Sequence, residues 1–294
     1  MSDRSKIAWC DTTWNITAGC RRVSAGCQNC YAERMAARLV AMGRREYEDV
    51  LTSTGRWSGN VKLLEERLSQ PAHWKAPRRV FVDSMSDLFH EDVPVDFIAN
   101  VWAVMRLEDR HTYMILTKRP ERMRQVLTGA DFEREYREAV DILTEHTFTG
   151  GELPLANVWL GVSVEHQATA DERIPLLLDT PAAVRFVSAE PLLGPIDLTY
   201  LPCGDWNWDA MRGYHWKMDH SDYQMGTAKL NWVICGGESG PNARPMHPDW
   251  GRSLRDQCQA AGVAYFFKQW GEFAEVSREE ADGARGGKNL GGPP

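Results

Sequence analysis

Apolar residues in this chain come in short blocks. Seven runs are rich in Val, Ile, Phe, Tyr or Trp: IAWCDTTWN (7–15), RRVFVDS (78–84), HTYMILTK (111–118), NVWLGVSVE (157–165), AVRFVSAE (183–190), LNWVICGGE (230–238) and VAYFFKQ (263–269). Most are apolar throughout, the pattern of strands covered on both faces. Helix-like stretches separate several of them, such as VDFIANVWAVMRLE (95–108) and HPDWGRSLRDQCQAAG (247–262), the second closed by Gly262 at a C-terminal capping position. Strand, helix, strand repetition predicts an α/β fold built on a parallel sheet. The expected organisation is a single domain over residues 1–275, with an insert at about 203–229 and a charged, glycine-rich tail at 276–294 that predicts a mobile end. The insert, CGDWNWDAMRGYHWKMDHSDYQ at 203–224, has no clear period and predicts a locally packed loop, with a lid or a base-stacking platform as alternatives.

Polar residues gather where the apolar runs stop. The signatures are DSMSD (83–87), TKR (117–119), SVE (163–165), SAEP (188–191), GGESG (236–240) and KQWGE (268–272). One such ending is what any turn requires. Six of them, with Glu165, Glu190 and Glu238 and Lys118 and Lys268 at equivalent ends, exceed that requirement. The carboxyl ends of parallel strands are where α/β proteins bind ligands and do chemistry, so the endings predict one shared site. The glycine pair Gly236–Gly237 with Arg244 has the character of an anion cradle, although neither the P-loop nor the G-x-G-x-x-G pattern is present.

The stretch AGCRRVSAGCQNCYAERM (18–35) adds a metal-type chemistry. Cys20, Cys27 and Cys30 occupy the loop between the first strand and a helix whose periodicity puts Tyr31, Met35, Leu39 and Met42 on one face and which ends at Gly43. Gly19 and Gly26 allow close backbone approach, while Arg21, Arg22 and the helix N-terminus favour thiolate over thiol. Three thiolates suit a 4Fe-4S cluster with one iron left open to a ligand. Structural zinc, with Cys10 as fourth ligand, and unmetallated thiols are the competing readings. Cys203, Cys235 and Cys258 stand alone and read as ordinary residues. An odd count of seven cysteines and an N-terminus without an apolar signal region predict a reducing, cytoplasmic setting, and no run is long enough to span a membrane. The formal charge of −7 disfavours bulk coating of nucleic acid but leaves room for a local basic groove.

Taken together, TAGCRRVSAGCQNCYAERM, MSDLFHEDVP, ILTKRPERM, WLGVSVE, VSAEPLLGPI, VICGGESGPNARP and FFKQWGE, over roughly residues 5–275, resemble an uncharacterised three-cysteine family carried by phages and mobile elements. That family is similar to the radical S-adenosylmethionine enzymes, with spore photoproduct lyase a characterised relative. The resemblance implies a partial or full (β/α) TIM-like barrel of the radical SAM type. It implies that Cys20, Cys27 and Cys30 hold the cluster and that S-adenosylmethionine binds its open iron. Ser84, Ser86 and Asp87 then stand where the methionine amino group is contacted, and Ser163, Glu165, Ser188 and Glu190 where ribose or carboxylate is held. Lys118 and Arg119 would neutralise that carboxylate, and Gly237, Glu238, Arg244 and Lys268 would lie on the substrate side. The spacing departs from the superfamily: C-x6-C-x2-C replaces C-x3-C-x2-C, Asn29 takes the place of the usual adenine-contacting aromatic, and Tyr31 follows the third cysteine instead.

The expected function is radical chemistry on nucleic acid or a nucleotide, with an external electron donor. The basic run TKRPERMR (117–124), together with Arg244 and Lys268, is the local support for a phosphate-tracking rim. The alternative is a non-catalytic, metal-stabilised barrel that binds nucleic acid or a partner protein.

Overall fold

A computed structural model describes residues 5, 7–146, 153–225 and 228–273. The expected tail at 276–294 lies outside the described residues. The strands are β1 (Thr12–Trp14), β2 (Thr17–Ala18), β3 (Lys62–Leu63), β4 (Arg79–Val82), β5 (Thr112–Thr117), β6 (Val158–Ser163), β7 (Val184–Ala189), β8 (Leu201–Cys203), β9 (Trp206–Asp209), β10 (Tyr214–Lys217), β11 (Tyr223–Met225), β12 (Trp232–Gly236) and β13 (Ala264–Gln269). The helices are α1 (Tyr31–Ala41), α2 (Val95–Leu107), α3 (Pro120–Leu127), α4 (Ala130–Thr144), α5 (Gln167–Leu178) and α6 (Pro248–Ala261). All seven expected runs contain a strand, and Gly262 ends α6 with a left-handed φ of 65°.

Seven strands form one parallel sheet in the order β1-β4-β5-β6-β7-β12-β13. The order follows the chain, so no crossover reverses direction. Right-handed crossovers of constant direction put the helices on one face only, and the sheet curls away from them as an open half barrel. The convex face supplies Val80, Val82, Tyr113, Ile115, Leu160 and Val187 to the main core, where they meet Ile98, Trp102 and Met105 of α2 and Ile174 of α5. Burial on both faces is why these runs are apolar without alternation.

The concave face has its own small core of Trp9, Cys10, Phe81, Met114, Phe186 and Ile234. Trp9 closes it, with its ring 4.6 Å from Phe81 and 6.1 Å from Trp232. In the same lumen, β6 pairs Gly161 with Phe186 of β7 and Ser163 with Ser188. A methyl group on Gly161 would sit 2.5 Å from the Phe186 ring, so glycine is required for that ring to lie across the strand. The lumen thus grades from aromatic at one end to Ser163 and Ser188 at the carboxyl end, towards Glu165 and Glu190.

Of the residues expected on one face of α1, Tyr31, Met35 and Met42 are exposed, Met42 at 75%, and Leu39 is half-buried, while Ala32, Glu33 and Ala36 are buried. Small side chains bring α1 close to its neighbours, and Glu33 is held inside by Arg22, Arg56 and the Trp57 amide. One expectation is corrected: the insert is not a packed loop. Residues 201–225 form a four-stranded antiparallel sheet, order β11-β10-β9-β8, whose strands of three or four residues are too short to show a period. Among the described residues, no helix is long and apolar enough to cross a membrane.

Gly161→Ala should lower stability by about 1–3 kcal/mol, the cost of overpacking a filled core. The lumen account requires Gly161→Ala/Phe186→Leu to lose less than the sum of the two single changes in denaturant unfolding; strict additivity would contradict it.

Candidate functional site

The carboxyl ends of the parallel strands converge on the loop that carries the three cysteines, and four sets of contacts fasten it there. The first comes from Asp83, in left-handed backbone (φ 55°) just past β4. Its buried carboxylate accepts from the amides of Ile16 and Thr17, each at 2.9 Å, and from Thr17 Oγ1 at 3.0 Å. These bonds steer the chain out of β1 towards Cys20. Burial pushes Asp83 up to about 7 despite those donors. Nearby, Ser86 Oγ donates to Gly19 O at 2.5 Å, Ser84 Oγ to Asn15 Oδ1 at 3.0 Å, and Tyr31 Oη to Ser84 O at 2.5 Å.

The second set runs through Asp87. Its carboxylate ties β4 to the end of β5 by accepting from Thr117 Oγ1 at 2.7 Å and from the Lys118 amide at 3.1 Å. It also accepts from Arg119 Nη1 at 3.0 Å, and the same nitrogen lies 3.8 Å from Cys20 Sγ. Arg119 further donates to Arg21 O and Glu91, so its guanidinium is fully engaged. Burial first, then the Asp87 charge, push the Cys20 thiol up to about 12, and Arg119 opposes both.

The third set centres on Glu165, which is fully buried beyond β6. Ser24 Oγ of the cysteine loop donates to it at 2.8 Å, Arg173 Nη1 of α5 lies at 3.3 Å and Lys118 Nζ at 3.7 Å. Arg173 also donates to Ser163 O at 2.7 Å. A methyl group on Gly26 would strike Glu165 Oε1, so the loop can approach the carboxylate only with glycine there. The fourth set joins Glu238, beyond β12, to both sides of the loop. It accepts from Asn29 Nδ2 at 2.9 Å and from Arg244 Nη2 at 2.5 Å, while Arg244 donates onward to Ala25 O at 3.0 Å. Burial would raise the Glu238 carboxyl, but these donors outweigh it and hold it below the usual carboxylate range. Glu190 and Lys268 pair at 2.5 Å between β7 and β13.

Cys20, Cys27 and Cys30 are free, partly exposed thiols. Cys27 Sγ lies 3.9 Å from Ser24 Oγ, and Cys30 is the N-cap of α1. Among the described residues, no three His, Cys, Asp or Glu side chains converge as they would on a single metal ion. A cubane cluster binds each thiolate through a different iron, so its ligands need not meet at one point. Cys20, Cys27 and Cys30 stand on one loop, with the Arg119 guanidinium beside Cys20. Cys10 belongs to the aromatic lumen core, its Sγ 3.3 Å from Ser5 Oγ, whereas Cys20 and Cys30 pack beside Ala32, Ala36 and Met85. The fourth ligand that structural zinc would draw from Cys10 is thus placed with a different group of residues.

Most sequence-expected site residues come together at the mouth, with Ser163 and Ser188 just below it in the lumen. Two expected roles do not fit. Gly237 is no open anion cradle: its amide donates to Gln269 O at 2.9 Å, and a methyl group there would strike Trp270 O. The basic run is spent internally, since Arg122 donates to His90 O and Val93 O, Arg124 pairs with Asp179, and Lys118, Arg119, Arg244 and Lys268 each face a carboxylate. Sequence reasoning passed over Asp83, Ser24 and Arg173. Asp83 was legible as an acid directly ending an apolar run, whereas Ser24 and Arg173 carry no local signal because only the fold brings them to Glu165.

Neither a curated protein nor a solved structure matches the chain. A family model described as a protein of unknown function, DUF5131, matches residues 4–293, and the chain belongs to that family.

Proposed function

We propose that this protein is a radical S-adenosylmethionine enzyme, its 4Fe-4S cluster held by Cys20, Cys27 and Cys30. The observation that carries the reading is the position of the three-thiol loop, fastened over the carboxyl ends of a parallel half barrel. When bound, a reduced cluster with S-adenosylmethionine on its open iron supplies a 5′-deoxyadenosyl radical able to take hydrogen from a substrate. The chain's own part is to hold and shield. Arg119 offsets thiolate charge at Cys20, Glu165 and Glu238 fix the loop, and the lumen core closes the far end against water. Ser163, Ser188, Glu190 and Lys268 line the side from which a substrate would meet the radical. A cytoplasmic setting and an external electron donor go with this reading.

The substrate is better proposed as a compact molecule or side chain than as a nucleic-acid backbone, because every cation expected to track phosphates already has an internal partner. The non-catalytic metal-stabilised barrel is the second reading. It is favoured only by the saturation of the mouth with internal ion pairs, which leaves few groups unspent for a substrate.

Anaerobically reconstituted protein should contain about four irons and four sulfides per chain, following the stoichiometry of such clusters. Cys20→Ala, Cys27→Ala and Cys30→Ala should each abolish that content and Cys10→Ala should leave it unchanged. One zinc per chain, lost with Cys10→Ala, would sink the proposal.

Loop anchoring can be tested apart from ligation. Glu165→Gln leaves Arg173 buried without its full counter-charge, so a loss of about 3–5 kcal/mol is expected in thermal or denaturant unfolding. Arg119→Leu should slow iron incorporation several-fold without changing the final iron-to-sulfide ratio, since it removes the cation that opposes the raised Cys20 thiol. Unchanged incorporation kinetics would show that Arg119 serves only its structural bonds to Asp87, Glu91 and Arg21 O.

A further inference from the structure

At the mouth of the half barrel, one charge pair keeps bonding capacity that its neighbours have lost. Asp87, Glu165 and Glu238 each accept from several donors. Glu190 and Lys268 have each other, 2.5 Å apart, and among the described residues neither side chain has a further hydrogen-bond or ion-pair partner. An ammonium carries three donors and a carboxylate two oxygens, so both groups can bond a ligand without giving up their pairing. Both side chains are partly exposed, Lys268 at 26% and Glu190 at 19%. Beside them lies bare backbone: a methyl group on Gly236 would only touch the pair, 3.4 Å from the Glu190 carboxyl carbon and 3.5 Å from Lys268 Cβ. Glu238, which holds Asn29 of the cysteine loop, follows Gly236 by two residues, so the pair stands close to that loop.

Two hydroxyls are the second observation. Ser163 and Ser188 stand opposite one another across β6 and β7 and are only 3% and 2% exposed. Ser188 precedes Glu190 by two residues and so shares its side of the sheet. Among the described residues, neither serine side chain has a hydrogen-bond partner. A buried hydroxyl left unbonded is costly, and each can both donate and accept. The charge arrangement then selects the ligand. A simple anion, a phosphate above all, is drawn by Lys268 and repelled by Glu190, and a simple cation meets the reverse. A zwitterion meets neither objection: its carboxylate lies against Lys268 and its ammonium against Glu190, so that neighbouring charges alternate in sign. In a free α-amino acid the two groups are joined through a single carbon, which suits a pair whose own charged atoms touch. The serine hydroxyls can take the N–H or oxygen lone pair that remains.

We infer that Glu190 and Lys268, with Ser163 and Ser188 beside them, bind the ammonium and carboxylate of a free α-amino acid. This rests on the reading above only for the ligand's role as substrate; S-adenosylmethionine carries the same two groups but is there assigned to the open iron. Thermal shift of the full-length, reconstituted protein against each proteinogenic L-amino acid should find at least one that raises Tm. Calorimetric titration then compares the best of them with its carboxamide and its N-acetyl derivative, each of which lacks one charge and should bind at least tenfold more weakly. Lys268→Met should remove the preference for the acid over the carboxamide, and Glu190→Gln the preference for the free amine over the N-acetyl form, whereas a damaged fold would lose both together. The derivatives are compared on the unaltered protein, so the test holds even where a variant fails to fold. No stabilising amino acid, or derivatives that bind as tightly as the parent, would overturn the inference. So would S-adenosylmethionine binding cluster-free protein more tightly than any amino acid and losing that binding in Lys268→Met, since the pair would then belong to the cofactor. Iron and sulfide are measured on the same samples: a cluster without amino-acid binding counts against this inference alone, and amino-acid binding without a cluster counts against the radical reading alone.

Discussion

Glu165 has no exposure, and burying a carboxylate is costly unless cations and donors surround it. This condition organises the mouth of the half barrel. Arg173 arrives from α5, Lys118 from the end of β5 and Ser24 from the cysteine loop, so three parts of the chain distant in sequence must meet at one carboxylate. Gly26 is the concession the loop makes to reach it. Once Ser24 and Gly26 are fixed, Cys27 is fixed beside them, and the short turn to Cys30 begins α1. Asp87 with Arg119 does the same for Cys20, and Glu238 with Arg244 for the segment Ala25–Asn29.

The loop is therefore held by charge pairs from strand ends far more than by apolar contact. In the helix that follows it, Ala32 and Ala36 are buried, Leu39 and Val40 are half-buried, and Tyr31 and Met35 are exposed. Strong, directional bonds suit a loop whose thiols must keep fixed relative positions, because hydrophobic burial is non-directional and sets no register. The grading of the lumen from Trp9 and Phe186 to Ser163 and Ser188 complements this. The far end is filled by buried, largely apolar side chains, and Ser163 and Ser188 lie towards the end where the cysteines are.

Much of this was legible in the sequence because apolar runs buried on both faces announce parallel strands, and their polar endings announce which end matters. The half-barrel form agrees with the partial barrel that the family resemblance implies, but it was not legible in the apolar pattern itself. It follows from strand order, which depends on crossover direction and leaves no mark on local composition. Which face of α1 is buried was not legible for a related reason: Tyr31, Met35, Leu39 and Met42 have helical spacing, but Ala32 and Ala36 allow closer packing, and distance to the neighbouring elements decided which face went in. The insert escaped because strands of three or four residues carry too few positions for alternation to register. The basic run was read as a free rim, whereas its partners His90, Val93 and Asp179 lie far off in sequence and are supplied by tertiary structure.

The account stands or falls on whether the three-thiol loop leaves one iron open to a ligand. The direct measurement is the electron paramagnetic resonance spectrum of the dithionite-reduced, reconstituted protein with and without S-adenosylmethionine. A clear change in the g-values on addition, accompanied by slow formation of 5′-deoxyadenosine and absent in Cys27→Ala, is the predicted result. A cluster signal indifferent to S-adenosylmethionine would contradict the account and leave a closed, structural metal site in its place.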